Sequence, residues 1–288
     1  MTAYNSEKYI SSAIESVLAS EYSNFELIIV DDCSIDKTYD ICQSFLKQDA
    51  RIRLFRNDFN VGDYTNRNKA AQFARGAFLK YLDSDDIMYP HCLQVMVNAM
   101  VKYPEAGFAF CNKSIQCDAP FPYEVKSEQA FLNHYTRKGF FYAGPGGAII
   151  RAKAFNQCGG FSSVRHISDT DLWMKLAKQY SVVVMSPALI WWRRHDNQES
   201  IIEQKNDSVI AERLLLEKRY LLSPDLPLDE HRRNSLLFLL NRKICFKVVS
   251  LLIQRRFAAS ALVQRKLKIN WAHIILTCLK YGYGYRKN

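Results

Sequence analysis

What this sequence lacks narrows its class before any motif is read. The eight cysteines (Cys33, Cys42, Cys92, Cys111, Cys117, Cys158, Cys245 and Cys278) form no CxxC pair, and no secretory leader opens the chain. That pattern suggests neither a disulfide framework nor a zinc site, and a reducing cytosol is the expected compartment. No apolar run reaches the roughly 18–20 residues a spanning helix needs. No internal repeat or low-complexity tract is present. Acidic residues also run out: none follows Glu230, whereas thirteen Lys/Arg do.

What remains is 288 residues, 48% hydrophobic and 24% charged, enough for one large globular domain or one domain with an appendage. The net charge of +10 is unevenly placed: residues 211–288 hold 16 basic and 5 acidic residues, against 23 and 24 in residues 1–210. In the tail the basic residues alternate with "LLFLL", "VVSLLI" and "HIILTCL". This pattern fits basic amphipathic helices lying on an anionic membrane surface or a partner, and equally a helical subdomain with a basic outer face. The tail contains no recognisable nucleic-acid reading motif, and nucleic acid is not an expected partner.

The body alternates helical and strand patterns. Residues 6–20 place Ile10, Ile14, Val17 and Leu18 on one helical face, and "FELIIV" then reads as a buried strand. Helix over Thr38–Leu46, strand "RIRLF", helix over Tyr64–Ala74, strand "AFLKYL" and helix over His91–Lys102 follow. Such alternation predicts an α/β fold with a mostly parallel sheet, whose ligands lie beyond the carboxyl ends of the strands. From Gly107 the pattern becomes turn-rich, with "GPGG" at 144–147, "GGF" at 159–161, and a helix expected behind Ser168 or Asp169 as its cap. The opening "MTAYN" leaves only a stub where a first strand should precede the helix. It is read either as a misassigned gene start or as a short terminal strand.

Two strands end in clustered carboxylates: "VDDCSIDKT" puts Asp31 and Asp32 together, and "YLDSDD" adds Asp83, Asp85 and Asp86. Meeting over one cleft, they would repel each other, and a cation or a donor-rich ligand would relieve the repulsion. With "TAYN", "RN" at 67–68, "GGF", "SDTDLWMKL" and "RRHDNQES" in this order, the chain resembles the family 2 glycosyltransferases over about residues 1–200. The resemblance implies a GT-A, Rossmann-like fold flanked by helices, over residues 1–205, with residues 206–288 as a basic amphipathic helical extension. It also implies inverting transfer from a nucleotide-diphospho-sugar, with Mn2+ or Mg2+ as cofactor.

Site residues follow from that resemblance. Asp83 would face the ribose and Asp85 the metal, with Asp86 as the competing ligand; hard divalent cations take oxygen ligands and usually only one or two protein carboxylates. Asp32 matches the position that accepts a pyrimidine N3–H, which favours a UDP-sugar; Tyr4 offers a ring for stacking, and Thr2 and Asn5 shape the same pocket. Asp31 or Asp32 could instead only cap the next helix. Arg67 either reaches the pyrophosphate or braces Asp83. Inversion needs a general base for the acceptor hydroxyl. The family's "ED" pair appears here as Ser168-Asp169, so Asp169 is the expected base, with a helix-capping role and Asp171 as alternatives. His195 matches a histidine that approaches the metal or diphosphate, with Arg193 and Arg194 forming a lid, or else is structural. "GPGG" either approaches the sugar closely or forms a tight turn.

The expected partners are a nucleotide-sugar donor, a glycan or lipid-linked acceptor in cell-surface polysaccharide or lipopolysaccharide biosynthesis, and an anionic membrane surface. The expected location is cytoplasmic, peripheral on the inner face of the membrane. Two alternatives stand beside this. One is transfer to polyprenyl phosphate, which needs no base; the other is an inactive relative acting as an interaction scaffold.

Overall fold

The computed structural model describes residues 1–111, 119–137, 139–195 and 206–281. The chain divides into two compact units, Met1–Ala130 with Phe141–Arg194, and Phe131–Phe140 with His195–Asn288. The boundary expected at residue 205 falls in 196–205, outside the described residues, as does most of "HDNQES".

In the first unit, β1 (Thr2–Ala3), α1 (Ile10–Leu18), β2 (Leu27–Asp31), α2 (Thr38–Phe45) and β3 (Ile52–Arg56) give a parallel sheet in the order β1-β2-β3. All five residues of β2 are buried, as in a strand covered on both faces. α1 buries Ile10, Ala13, Ile14 and Val17, the i, i+3, i+4, i+7 stripe of an amphipathic helix. α3 (Asp63–Gln72), β4 (Phe78–Lys80), β5 (Ile87–Met88), α4 (Cys92–Lys102) and β6 (Ala106–Cys111) come next. β7 (Tyr123–Val125), α5 (Ser127–Thr136), β8 (Ala148–Arg151), α6 (Ala152–Gln157), α7 (Ser168–Gln179), β9 (Ser181–Met185) and β10 (Ile190–Trp191) follow, α5 running across the division between the units.

The second sheet has the order β4-β8-β6-β9-β7, with β6 and β9 parallel and the other pairings antiparallel; β10 pairs antiparallel with β5. The expected α/β architecture is therefore the one that forms, with the wholly parallel part confined to the first three strands. β6 and β9 are buried throughout, and Trp173 of α7 stacks on Phe108 with ring centroids 5.5 Å apart. Gly107 permits this layer: a Cβ there would lie 2.6 Å from Tyr180 Cβ.

The β1 stub joins the sheets and sets the geometry of the site. Ala3 is in register with Asp31 of β2, and Thr2 forms an isolated parallel bridge with Asp83, just beyond β4. The carboxyl ends of β2 and β4 thus flank the same two residues. Below the stub a cavity of about 290 Å3 lies among Met1, Leu27, Ile28, Phe78, Leu79 and Leu82.

The second unit adds α8 (Asp207–Leu221), α9 (Glu230–Ile253), α10 (Phe257–Leu267) and α11 (Trp271–Tyr281). α9 buries Leu236, Leu240, Ile244, Val248 and Leu251 along one stripe, and α10 buries Ala259, Val263 and Leu267. Asp229 caps α9 by accepting from the Arg232 N–H at 2.7 Å. Buried Glu217 accepts from Lys243 Nζ at 3.1 Å, and its backbone carbonyl accepts from the Tyr135 hydroxyl at 2.7 Å, tying α8 to α9 and to α5. Among the described residues no helix is long and apolar enough to cross a membrane.

Candidate active site

The two acidic segments are held by different devices. Asn5 sits at φ 47°, in the left-handed region, and its Oδ1 accepts the Ile35 N–H at 3.0 Å while its own N–H donates to Ser34 Oγ at 3.0 Å. Ser6 donates its N–H to Thr38 Oγ1 at 2.6 Å and shares a 2.7 Å hydroxyl bond with Ser84. The loop after β1 is thereby clamped to both carboxylate-bearing segments. Thr2 is buried in β1, whereas the Tyr4 ring is about half exposed.

Asp32, 3% exposed, accepts from Asn57 Nδ2 at 2.7 Å and from the backbone N–H groups of Val61 and Gly62, each at 2.9 Å. Its two oxygens offer about four lone-pair positions, so roughly one remains for a further donor. Asp31 is fully buried; its Oδ2 pairs with Arg56 Nε at 3.2 Å and accepts the Ser34 N–H at 3.1 Å. Neither acid caps α2, whose N-cap, Lys37, has no side-chain hydrogen bond.

Arg67 of α3 is 6% exposed and organises the second segment. Its Nη2 donates to Asp83 Oδ1 at 2.6 Å and its Nε to Asp63 Oδ2 at 3.1 Å, while Nη1 is buried with no hydrogen-bond partner. Burial opposes its charge, but Asp63 and Asp83 outweigh burial and raise its pKa well above the ordinary value. In return, although burial would raise Asp83, the Arg67 charge and hydrogen bond hold it below the usual carboxylate range. Of the two sequence readings for Arg67, bracing is what the geometry contains, and the buried Nη1 leaves one group for a ligand oxygen. The adjacent Asn68 exchanges two 2.9 Å hydrogen bonds with the backbone of Phe161. Gly160, at φ 68°, makes that close approach possible, since a Cβ would fall 2.5 Å from Asn68 Oδ1.

Asp86 is 2% exposed; burial, then the charges of Asp83 and Asp85, push its carboxyl up to about 7. Its Oδ1 accepts the Arg193 N–H at 3.1 Å, and Arg193 Nε donates to the Asp85 carbonyl at 2.8 Å. Lys80 lies on the other side, its Nζ bonded to the carbonyls of Tyr81 and Gly146. Burial lowers its pKa against the attraction of neighbouring thiols and of Asp83 and Asp86. Among the described residues no group of three or more His, Cys, Asp and Glu converges as a ready-made metal cage. Asp83 is engaged by Arg67, and Asp85 and Asp86 are the neighbouring carboxylates in the same segment. That donor set fits Mg2+ or Mn2+, which keep several waters and take one or two carboxylates.

Asp169 lies in the first turn of α7. The helix begins one residue earlier than expected: its N-cap is Ile167, without a side-chain bond, so neither Ser168 nor Asp169 is the cap. Ser168 is fully buried and donates to the Ser162 carbonyl at 2.5 Å, while Asp171 pairs with Lys175 at 3.0 Å. Asp169 Oδ1 accepts the Thr170 N–H at 2.6 Å. Trp173, one turn on, donates to the Ala143 carbonyl at 2.7 Å and so fixes the residue preceding "GPGG". That loop is a short 3-10 turn over Pro145–Gly147, where a Cβ on Gly146 would lie 3.7 Å from Trp192 Nε1 and 4.0 Å from Asp86 Oδ2. His195 opens the second unit.

Lys80 also belongs to the site, and a lysine inside the apolar "AFLKYL" is its visible signal in the sequence. So do the Asn57 and Asn66 amides behind Asp32, for which nothing in the sequence stands out.

Residues 1–159 match the model described as glycosyl transferase family 2. The chain belongs to this family. Among curated relatives, it is 40% identical over 102 residues to the UDP-Glc:alpha-D-GlcNAc-diphosphoundecaprenol beta-1,3-glucosyltransferase WfgD of Escherichia coli, covering 35% of this chain and 40% of that protein. It is 36% identical over 120 residues to the putative teichuronic acid biosynthesis glycosyltransferase TuaG of Bacillus subtilis, covering 42% and 47%. The matched stretch thus spans less than half the length of these relatives. In fold it is similar to residues 1–349 of S. aureus TarS in complex with UDP-GlcNAc, with a TM-score of 0.71 at 20% identity, over 96% of this chain and 79% of that one. The GT-A architecture implied by the motifs is the one observed.

Proposed function

We propose that this family 2 chain is an inverting, metal-dependent glycosyltransferase that moves a sugar from a UDP-sugar to a hydroxyl of a lipid-linked glycan used for cell-surface polysaccharide. The observation that carries the reading is the register at β1. It sets Asp83, braced by Arg67, at the carboxyl edge of the sheet across Thr2–Ala3 from the Asp31–Asp32 segment. Relatives support the chemistry: WfgD is named for a UDP-Glc donor and a diphosphoundecaprenol-linked acceptor, TuaG for teichuronic acid biosynthesis, and TarS was solved with UDP-GlcNAc.

Each residue then has a task. The remaining acceptor position on Asp32 takes the uracil N3–H, with Tyr4 as the stacking face and Thr2 and Asn5 shaping the pocket. Asp83 holds the ribose hydroxyls, its orientation fixed by Arg67, whose buried Nη1 is free to meet a phosphate oxygen. Asp85 and Asp86 would hold a divalent cation, which would neutralise charge on the leaving diphosphate. Asp169 takes the proton of the acceptor hydroxyl as it attacks. α11 and its basic neighbours keep the chain on an anionic membrane at the cytoplasmic face, where such an acceptor resides.

The test is nucleotide release from UDP-, dTDP- and GDP-sugars with Mn2+ present. Release from UDP-sugars well above the others is expected. Equal release from GDP-sugars would remove the N3–H role of Asp32, and neither binding nor release with any donor would refute the transferase.

A further inference from the structure

A second cleft adjoins the acidic cluster and has the opposite character. It has a volume of about 490 Å3, within the range of ligand sites, and is lined by Lys8, Tyr9, Trp191, Trp192, Arg193 and Arg194. No acidic side chain lines it.

Arg193 is its fixed wall. The guanidinium lies 4.8 Å from the ring centroids of both Tyr9 and Trp191. Nη2 donates to Ser12 Oγ at 3.4 Å, while Nε and the backbone N–H bond to Asp85 and Asp86. One residue therefore lines this cleft and braces the proposed donor side. The remaining cations are uncommitted. Lys8 and Arg194 are exposed and form no ion pair among the described residues, Lys8 resting only over the Tyr9 ring at 5.1 Å. Trp191 and Trp192 are each 46% exposed, an apolar display that a solvated surface does not reward. Trp192 lies beside the glycine loop, where a Cβ on Gly147 would come 3.5 Å from the indole and one on Gly146 would come 4.0 Å from Asp86 Oδ2.

Two exposed cations beside two half-exposed indoles suit one kind of ligand: an anion of two phosphates joined to a group with an apolar face, such as a pyranose ring or the first carbons of a lipid. We propose that the cleft between Lys8 and Trp191–Arg194 binds the diphosphate of a lipid-linked sugar acceptor, with Lys8 and Arg194 on the phosphates and Trp192 against the sugar. This rests on the transferase reading and adds how the acceptor is recognised. The donor diphosphate is the other source of the same chemistry, and the experiment separates the two.

Calorimetric titration of the full chain would use three probes: N-acetylglucosaminyl diphosphodecane, decyl N-acetylglucosaminide without the diphosphate, and UDP with Mn2+. The wild type is expected to bind the diphospholipid at least tenfold more tightly than the plain glycoside. A Lys8→Ala variant, confined to an exposed side chain, should lose at least fivefold in affinity for the diphospholipid, with its affinity for UDP within twofold of wild type. Trp192→Ala should weaken both glycolipids. Equal weakening of UDP would assign the cleft to the donor and overturn the proposal, as would equal affinity for the two glycolipids or no binding of the diphospholipid. If UDP binds and UDP-sugar is turned over while the diphospholipid fails to bind, only this proposal falls. Loss of UDP binding and turnover in the wild type would instead remove the transferase reading beneath it.

Discussion

Arg67 and His134 make opposite use of burial, one charged and one neutral. Arg67 stays charged because Asp63 and Asp83 surround it, so Arg67→Met should leave Asp83 without its partner. Breaking a fully buried pair costs 3–5 kcal/mol; with Asp83 35% exposed, about 2 kcal/mol is expected, read as a lower urea midpoint. Donor kcat/KM should fall at least tenfold. Unchanged turnover would show that Asp83 needs no brace. His134 is 3% exposed and its pKa is lowered to about 3, first by burial and then by the charges of Lys243 and Arg213. The nearby Glu217 carboxylate, 3.8 Å from Nε2, is already held by Lys243. The unfolded imidazole takes up its proton near 6.5 and the folded one only near 3, so the unfolded state binds more protons across that window. Stability contributed by neutral His134 is complete above pH 6.5 and declines as pH falls toward 3, by roughly 1.4 kcal/mol per unit. His134→Gln should flatten the slope by one proton between pH 6 and 4 in denaturant titrations; an unaltered slope would contradict the neutral imidazole.

At the scale of elements, α7 joins the proposed base to the glycine loop through Trp173. Trp173→Phe keeps the ring but leaves the Ala143 carbonyl unpaired, a cost of about 1–3 kcal/mol. A lower melting temperature and a reduced kcat at unchanged donor KM are expected; loss of stability alone would detach the loop from catalysis. Much of this level was legible in the chain. β2 is an apolar run that ends in Asp31 and β4 is followed by Asp83, and α1 and α4 carry clear stripes, so both the parallel core and the acidic edge followed from pattern. The start of α7 was one residue off because Ser168, which has the chemistry of a cap, turns its hydroxyl to the Ser162 carbonyl instead. That Phe131–Phe140 belongs to the second unit could not be read, since α5 continues through the division without a break in composition. Arg193 was legible as a cation near phosphates but not as the brace of Asp85 and Asp86, which depends on β10 pairing with β5.

For the whole molecule, the uneven charge has a structural counterpart in the second unit. α11 buries only Ile274 and exposes Trp271, Ile275, Leu276 and Leu279, on a tail with no acidic residue after Glu230. An exposed apolar face flanked by cations is what interfacial helices present, each basic residue adding about 1 kcal/mol near an anionic surface. Sedimentation with phosphatidylglycerol vesicles should be strong for the wild type, should weaken in 0.5 M salt, and should be lost when those four residues become Ser. Equal sedimentation of that variant would place the attachment elsewhere. The central claim, that the acidic edge of the sheet is a donor site working with a cation, is tested most directly by UDP release from the preferred UDP-sugar in Mn2+ and in EDTA. Wild type, Asp85→Ala and Asp169→Asn would be compared. The account predicts release that EDTA abolishes, a loss of roughly a hundredfold or more in Asp85→Ala, and, in Asp169→Asn, retained UDP binding with transfer lost. Release that persists in EDTA and is unaffected by Asp85→Ala would contradict it.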